Sequence, residues 1–150
     1  MQETADNLDK RVRAEVYDVT MRRGAPPLSS DVAPALRVDQ QQVRDSFKRL
    51  AEAHVIVLQP ESGEVLMANP FSAVPTPFRV ESSKISAYGN CIWDALGIPA
   101  MLHADATIHT SCADCGIAMR IDVAGGRVSG AGLLHFAIPA REWWNDIVFT

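Results

Sequence analysis

The chain has 150 residues, a formal net charge of −4 and a hydrophobic content of 47% against 21% charged residues. That is one globular domain by size, or two small lobes sharing a core. It excludes a strongly basic nucleic-acid wrapper, and no apolar run approaches the roughly 20 residues a bilayer crossing needs. Three cysteines and a polar N-terminus without the features of a secretory signal predict free thiols in a reducing cytoplasm.

In chain order, Leu8, Val12, Val16 and Val19 recur at helical spacing up to Arg22-Arg23-Gly24, a basic stretch and glycine that suit a helix stop. After the stiff Ala25-Pro26-Pro27 connector, Ser30 or Asp31 is expected to cap a second helix through Leu36, with Pro34 tolerated in its first turn. Asp39 caps a third helix with Val43, Phe47 and Leu50 on one face. Val55-Ile56-Val57-Leu58 and Val65-Leu66-Met67 read as two strands around a turn bearing Glu61 and Glu64. Three helices followed by a hairpin is the order of a winged helix. Gln40, Gln41, Gln42, Arg44, Lys48 and Arg49 could contact nucleic acid, but the basic footprint is weak and the acidic turn would repel phosphates, so a packing lobe is the favoured reading.

Residues 69–78 hold three prolines and mark an extended crossing segment between lobes 1–70 and 71–150. Beyond it, strands are expected at 78–81, 84–88, 106–109, 117–123 and 133–138, with a short helix starting near Cys91 and stopped by Gly97 and Pro99. The fold class is therefore α+β: a winged-helix-like three-helix lobe with a hairpin, then a mixed, mostly antiparallel α/β lobe.

Cys91 and Asp94 stand three apart in Tyr88-Gly89-Asn90-Cys91-Ile92-Trp93-Asp94, so a thiol and a carboxyl can share one helix face. Thiolate suits a soft metal, the carboxyl can move a proton, and the helix N-terminus is expected to lower the thiol pKa. The plainer alternative is a small buried cysteine beside a first-turn charge. Cys112-Ala113-Asp114-Cys115-Gly116 is half a zinc knuckle, with His109 and His103 nearby. It also reads as a redox pair or as a tight turn with one buried cysteine. His135 is expected in the core or at a strand edge, and of Trp143 and Trp144 one is expected in the core, the other at a pocket.

Tyr88-x-x-Cys91-x-x-Asp94-x-Leu96, with Ile98-Pro99-Ala100 and then Ala106 to Gly116, resembles the alkylmercury lyase (organomercurial lyase) family, strongly from Phe78 to Gly116 and loosely elsewhere. The resemblance implies protonolysis of a carbon–mercury bond without an external cofactor, mercury(II) being substrate and product ion and a small organomercurial or soft-metal compound the ligand. It assigns Cys91 as the first mercury-binding thiolate, Asp94 as the acid that protonates the leaving carbon, and Cys112 as a structural cysteine. With the Cys112–Cys115 half knuckle included, the soft-metal candidates are Cys91, Asp94, Cys112 and Cys115. A register anchored on Ile138-Pro139 sets the family's second catalytic cysteine just after Thr150, where the sequence ends. Three expectations follow: a longer protein supplies that thiol, Cys115 replaces it, or the chain is a non-lyase relative that binds soft metal, with DNA or another partner on its helical lobe. An apolar strand ending at Thr150 would leave an open sheet edge, favouring a homodimer.

Overall fold

The computed structural model describes residues 4–148. Helix α1 (Ala5–Arg23) ends at Gly24, whose φ of 83° lets the chain turn away. Helix α2 (Ser29–Leu36) and helix α3 (Gln40–Glu52) follow. The second helix starts earlier than its sequence suggests: Leu28 occupies the cap position, and its amide donates to the Asp31 carboxylate at 3.2 Å. Pro34 therefore lies inside the helix rather than in its first turn. At α3 the Asp39 amide donates to the Gln42 side chain at 2.9 Å, the backward half of a capping box. Leu8, Val12, Val16, Val32, Val43, Phe47 and Leu50 then close one core with Ile56, Val65 and Ala68. Of these, Leu8, Val12, Val16, Val43, Phe47 and Leu50 are positions that helical spacing predicts.

The hairpin strands β1 (Val57–Leu58) and β2 (Val65–Ala68) are antiparallel, and β3 (Phe71–Ser72) adds a third strand. The proline-rich crossing segment thus enters the first sheet before it leaves the lobe. Glu64 is not an exposed turn charge. It is buried, accepting from the Ser29 amide at 2.7 Å and the Ser29 hydroxyl at 2.6 Å, where the amides at the start of α2 favour an anion.

The second sheet runs β5 (Ser86–Tyr88), β4 (Arg79–Ser82), β6 (Ala106–Ser111), β7 (Ala118–Ala124), β8 (Arg127–Ser129), every neighbouring pair antiparallel. Helix α4 (Ile92–Leu102) lies against it, and Phe71, Val80, Ala87, Ala95, Ile98, Leu102 and Ile108 form the second core. Gly97 and Pro99 do not stop α4, which continues to Leu102 and turns at His103 with φ 47°. Pro99 costs the helix one hydrogen bond, but it is buried, and its carbonyl still receives the Ala104 amide at 3.1 Å.

The expected strand at 133–138 is absent: the segment runs irregularly into a 3-10 helix, Ala140–Asn145. The terminal strand expected after Asp146 is likewise not formed at Ile147 and Val148, which lie in a turn; Phe149 and Thr150 fall outside the described residues. Among the described residues no helix is long and apolar enough to cross a membrane.

The two cores touch. Met21 of α1 packs on the second core. Gly24 sits so close to β5 that an added Cβ would lie 2.1 Å from the Ser86 carbonyl oxygen. Phe71 pairs with β2 through its backbone and fills the second core with its ring.

Candidate functional site

The site is built where these lobes meet. Tyr88 ends β5, Gly89 bridges to Phe71, and Cys91 is the N-cap of α4, so the chain turns sharply from sheet into helix. Gly89 is required by space: a Cβ there would stand 2.6 Å from the Ala95 nitrogen and 2.8 Å from its Cα. Its carbonyl also accepts from the Thr76 hydroxyl at 2.6 Å, and its amide donates to Phe78 O at 3.0 Å. Gly89→Ala is expected to push the first turn of α4 outward and cost about 1–3 kcal/mol, the usual range for overpacking. Thermal unfolding checks this; an unshifted melt would show that the loop yields freely.

Cys91 and Asp94 line one cavity of about 560 Å³. Met67 and Asn69 of the first lobe, Phe78, and the aromatic residues Trp93, Phe136, Trp143 and Trp144 complete most of its wall. Phe136 meets Trp93 edge-on at 6.1 Å and Trp143 at 5.4 Å, while Trp144 stacks on His54 at 4.2 Å. The residues expected as core are thus wall: His135 is exposed and lines the cavity, and neither tryptophan is buried. Through this stacking His54, just past the end of α3, joins the C-terminal segment to the first lobe.

Burial raises the Cys91 thiol above its ordinary pKa; the Asp94 charge adds to this, and the amides of Asp94 and Trp93 oppose it. The expectation of a lowered pKa from the helix start is therefore reversed, because desolvation outweighs the two amides. The sulfur makes no complete cap hydrogen bond. Burial also raises the Asp94 carboxyl, opposed by Asn90, whose Nδ2 donates to Asp94 Oδ2 at 2.9 Å and to Asn69 Oδ1 at 3.0 Å. Tyr17 of α1 is near enough for the Asp94 charge to help raise its own pKa, after burial. Burial thus makes charge costly on both the thiol and the carboxyl. Such a pair suits a soft electrophile whose bond is broken by proton delivery.

The sequence candidates separate into two places. Cys91 and Asp94 come together in the cavity, whereas Cys112 and Cys115 sit at the β6–β7 turn and do not line it. His109 Nε2 lies 3.0 Å from Glu81 on the sheet rather than joining the cysteine pair. Among the described residues no three His, Cys, Asp or Glu side chains gather as a metal cage. Asn69 and Asn90 escape sequence reasoning altogether. They lie 21 residues apart, and only the meeting of the lobes joins them.

The alkylmercury lyase family model matches residues 71–150. The chain belongs to the alkylmercury lyase family. A solved structure, the mercury-bound form of MerB2, is similar with a TM-score of 0.62 at 21% identity, over 80% of this chain and 59% of that one. The chain therefore spans less than two thirds of that relative, and at this identity the likeness concerns fold, here a mixed α+β architecture with antiparallel sheets. Comparison with curated proteins gives no match. In alkylmercury lyase terms, the matched region holds Cys91, Asp94 and α4 complete, while the Met67 and Asn69 wall comes from outside it.

Proposed function

We propose that this chain carries the protonolysis site of an organomercurial lyase, cleaving carbon–mercury bonds with Cys91 and Asp94. The observation that carries the reading is their shared cavity: a partly buried thiol and a desolvated carboxyl, one helical turn apart, behind an aromatic wall. Cys91 attacks the mercury of R–Hg⁺ as its thiol proton passes to the Asp94 carboxylate. The sulfur raises electron density on the metal-bound carbon, and Asp94 returns the proton to that carbon. The balance is R–Hg⁺ + Cys91–SH → R–H + Cys91–S–Hg⁺, with no external cofactor. Among the described residues Cys91 is the only cysteine lining the cavity, so an added monothiol would be the second sulfur on the product ion.

The first lobe serves this site as a scaffold. Its three helices and hairpin support a winged-helix-like description for residues 1–70, and the two cores, 8–68 and 71–123, support a boundary near Phe71. Its third helix fits packing better than DNA binding, because Arg49 pairs with Asp9 at 2.7 Å, Arg44 with Glu64 at 3.5 Å and Lys48 with Asp45 at 3.8 Å. All three cysteines are free, which fits the cytoplasmic setting read from the sequence.

The test is benzene release from phenylmercury in excess monothiol. Release by the unaltered chain, falling to background in Cys91→Ser, is expected. Undiminished release by that variant, or none by the unaltered chain, defeats the reading.

A further inference from the structure

The lyase reading gives Cys115 no task and Cys112 only a structural one. They occupy the rim between β6 and β7, where the backbone is closed twice: the Cys112 amide donates to Ile117 O, and the Gly116 amide to Cys112 O, both at 2.9 Å. Gly116 makes the reversal at φ 72°, in the left-handed region that favours glycine. A turn closed in this way sets the two cysteines three residues apart on one short loop, and the neighbouring polar groups of Cys115 and Asp114 lower the pKa of the Cys112 thiol. Cys115 is exposed, Cys112 is half-buried, and neither is in a disulfide.

We propose that the turn Cys112-Ala113-Asp114-Cys115-Gly116 is a second soft-metal site, a solvent-facing dithiol that chelates Hg(II) apart from the Cys91 cavity. The ligand count selects the ion. Zinc in a structural site takes four ligands. Here no third His, Cys, Asp or Glu side chain among the described residues completes a cage, and His109 is turned to Glu81. Hg(II) is satisfied by two thiolates, and soft sulfur is the donor it prefers. The binding step is Hg²⁺ + Cys112–SH + Cys115–SH → Cys112–S–Hg–S–Cys115 + 2 H⁺, with no change of oxidation state. It holds whether or not the Cys91 cavity cleaves carbon–mercury bonds.

The experiment therefore uses the chain with Cys91→Ser, which removes the other thiol. The reduced protein is equilibrated with mercuric chloride and excess monothiol, desalted and weighed by native mass spectrometry, with the thiolate-to-mercury ultraviolet band as a second readout. One Hg(II) per chain is expected, displacing two protons. Adding Cys115→Ser should weaken retention by roughly 100-fold or more, because the chelate's effective concentration is lost. Adding both Cys112→Ser and Cys115→Ser should abolish it. Circular dichroism should be unchanged in all three variants, since the thiols lie on the rim. No bound mercury in Cys91→Ser, or equal retention with and without the pair, overturns the proposal. So does a chain two mass units lighter with no metal, which would make the turn a redox pair.

Discussion

Asp94→Asn should lower the rate of carbon–mercury cleavage by about 10²–10⁴-fold, the usual contribution of a positioned general acid, while making the protein more stable at neutral pH. Both effects come from the same desolvation. Burial raises the Asp94 pKa above its ordinary 3.8, so the native state holds a proton that the unfolded chain releases earlier. For a raised carboxyl the favourable contribution is complete below pH 3.8 and is lost as pH rises through the folded pKa. Burial thus penalises the ionised carboxyl in the folded state relative to the unfolded chain at pH values above 3.8, and the neutral amide removes that penalty. The gain should narrow as pH falls and vanish below the ordinary carboxylate range. Urea unfolding of both proteins between pH 4 and about 8 reads this directly. An asparagine variant less stable than its parent at pH 7 would show that Asn90 and the helix amides outweigh desolvation.

The placing of Cys91 and Asp94 on one cavity is the most legible feature of the molecule. Cys-x-x-Asp at a helix start needs only local geometry, and local geometry is what a sequence expresses. For the same reason the helices of the first lobe and the alternation of β7 are readable: Val12, Val16, Val43 and Phe47, and then Ile121 and Val123, follow the periods that their own backbones impose. What escapes is whatever depends on a distant partner. Glu64 looks like an exposed turn residue until the N-terminus of α2 closes over it. Pro99 looks like a helix stop because the rule counts the lost hydrogen bond and cannot count the burial that offsets it.

The apolar run Leu133 to Ile138 satisfies every local criterion for a strand, yet strand formation also needs a neighbouring edge, and composition cannot distinguish a core strand from the apolar wall of a pocket. The thiol pKa failed in a similar way. The helix start was visible in the sequence, but the burial that overrides it belongs to the packing of α4 under Phe78 and the aromatic wall.

Phe71→Ala should be the most damaging single truncation, because this residue joins the two halves on which the cavity depends. Its side chain is completely buried in the second core, its backbone pairs with Ala68 in the first sheet, and it bridges to Gly89 two residues before Cys91. Removing a buried phenyl ring generally costs about 3–5 kcal/mol, part in lost transfer energy and part in the cavity left behind. At this chain length each kcal/mol corresponds to roughly 2–4 °C of melting temperature, so a fall of about 10 °C is expected. Phe47→Ala, equally buried but wholly within the first core, provides the comparison. Both variants should lose similar stability. Only Phe71→Ala should loosen the strand-to-helix turn in the surviving folded fraction, seen as faster alkylation of Cys91 in a Cys112→Ser/Cys115→Ser background well below the melting temperature. Equal alkylation rates in the two variants would mean that the first lobe supports the second only through overall stability, and that the thiol is positioned by α4 and its sheet alone.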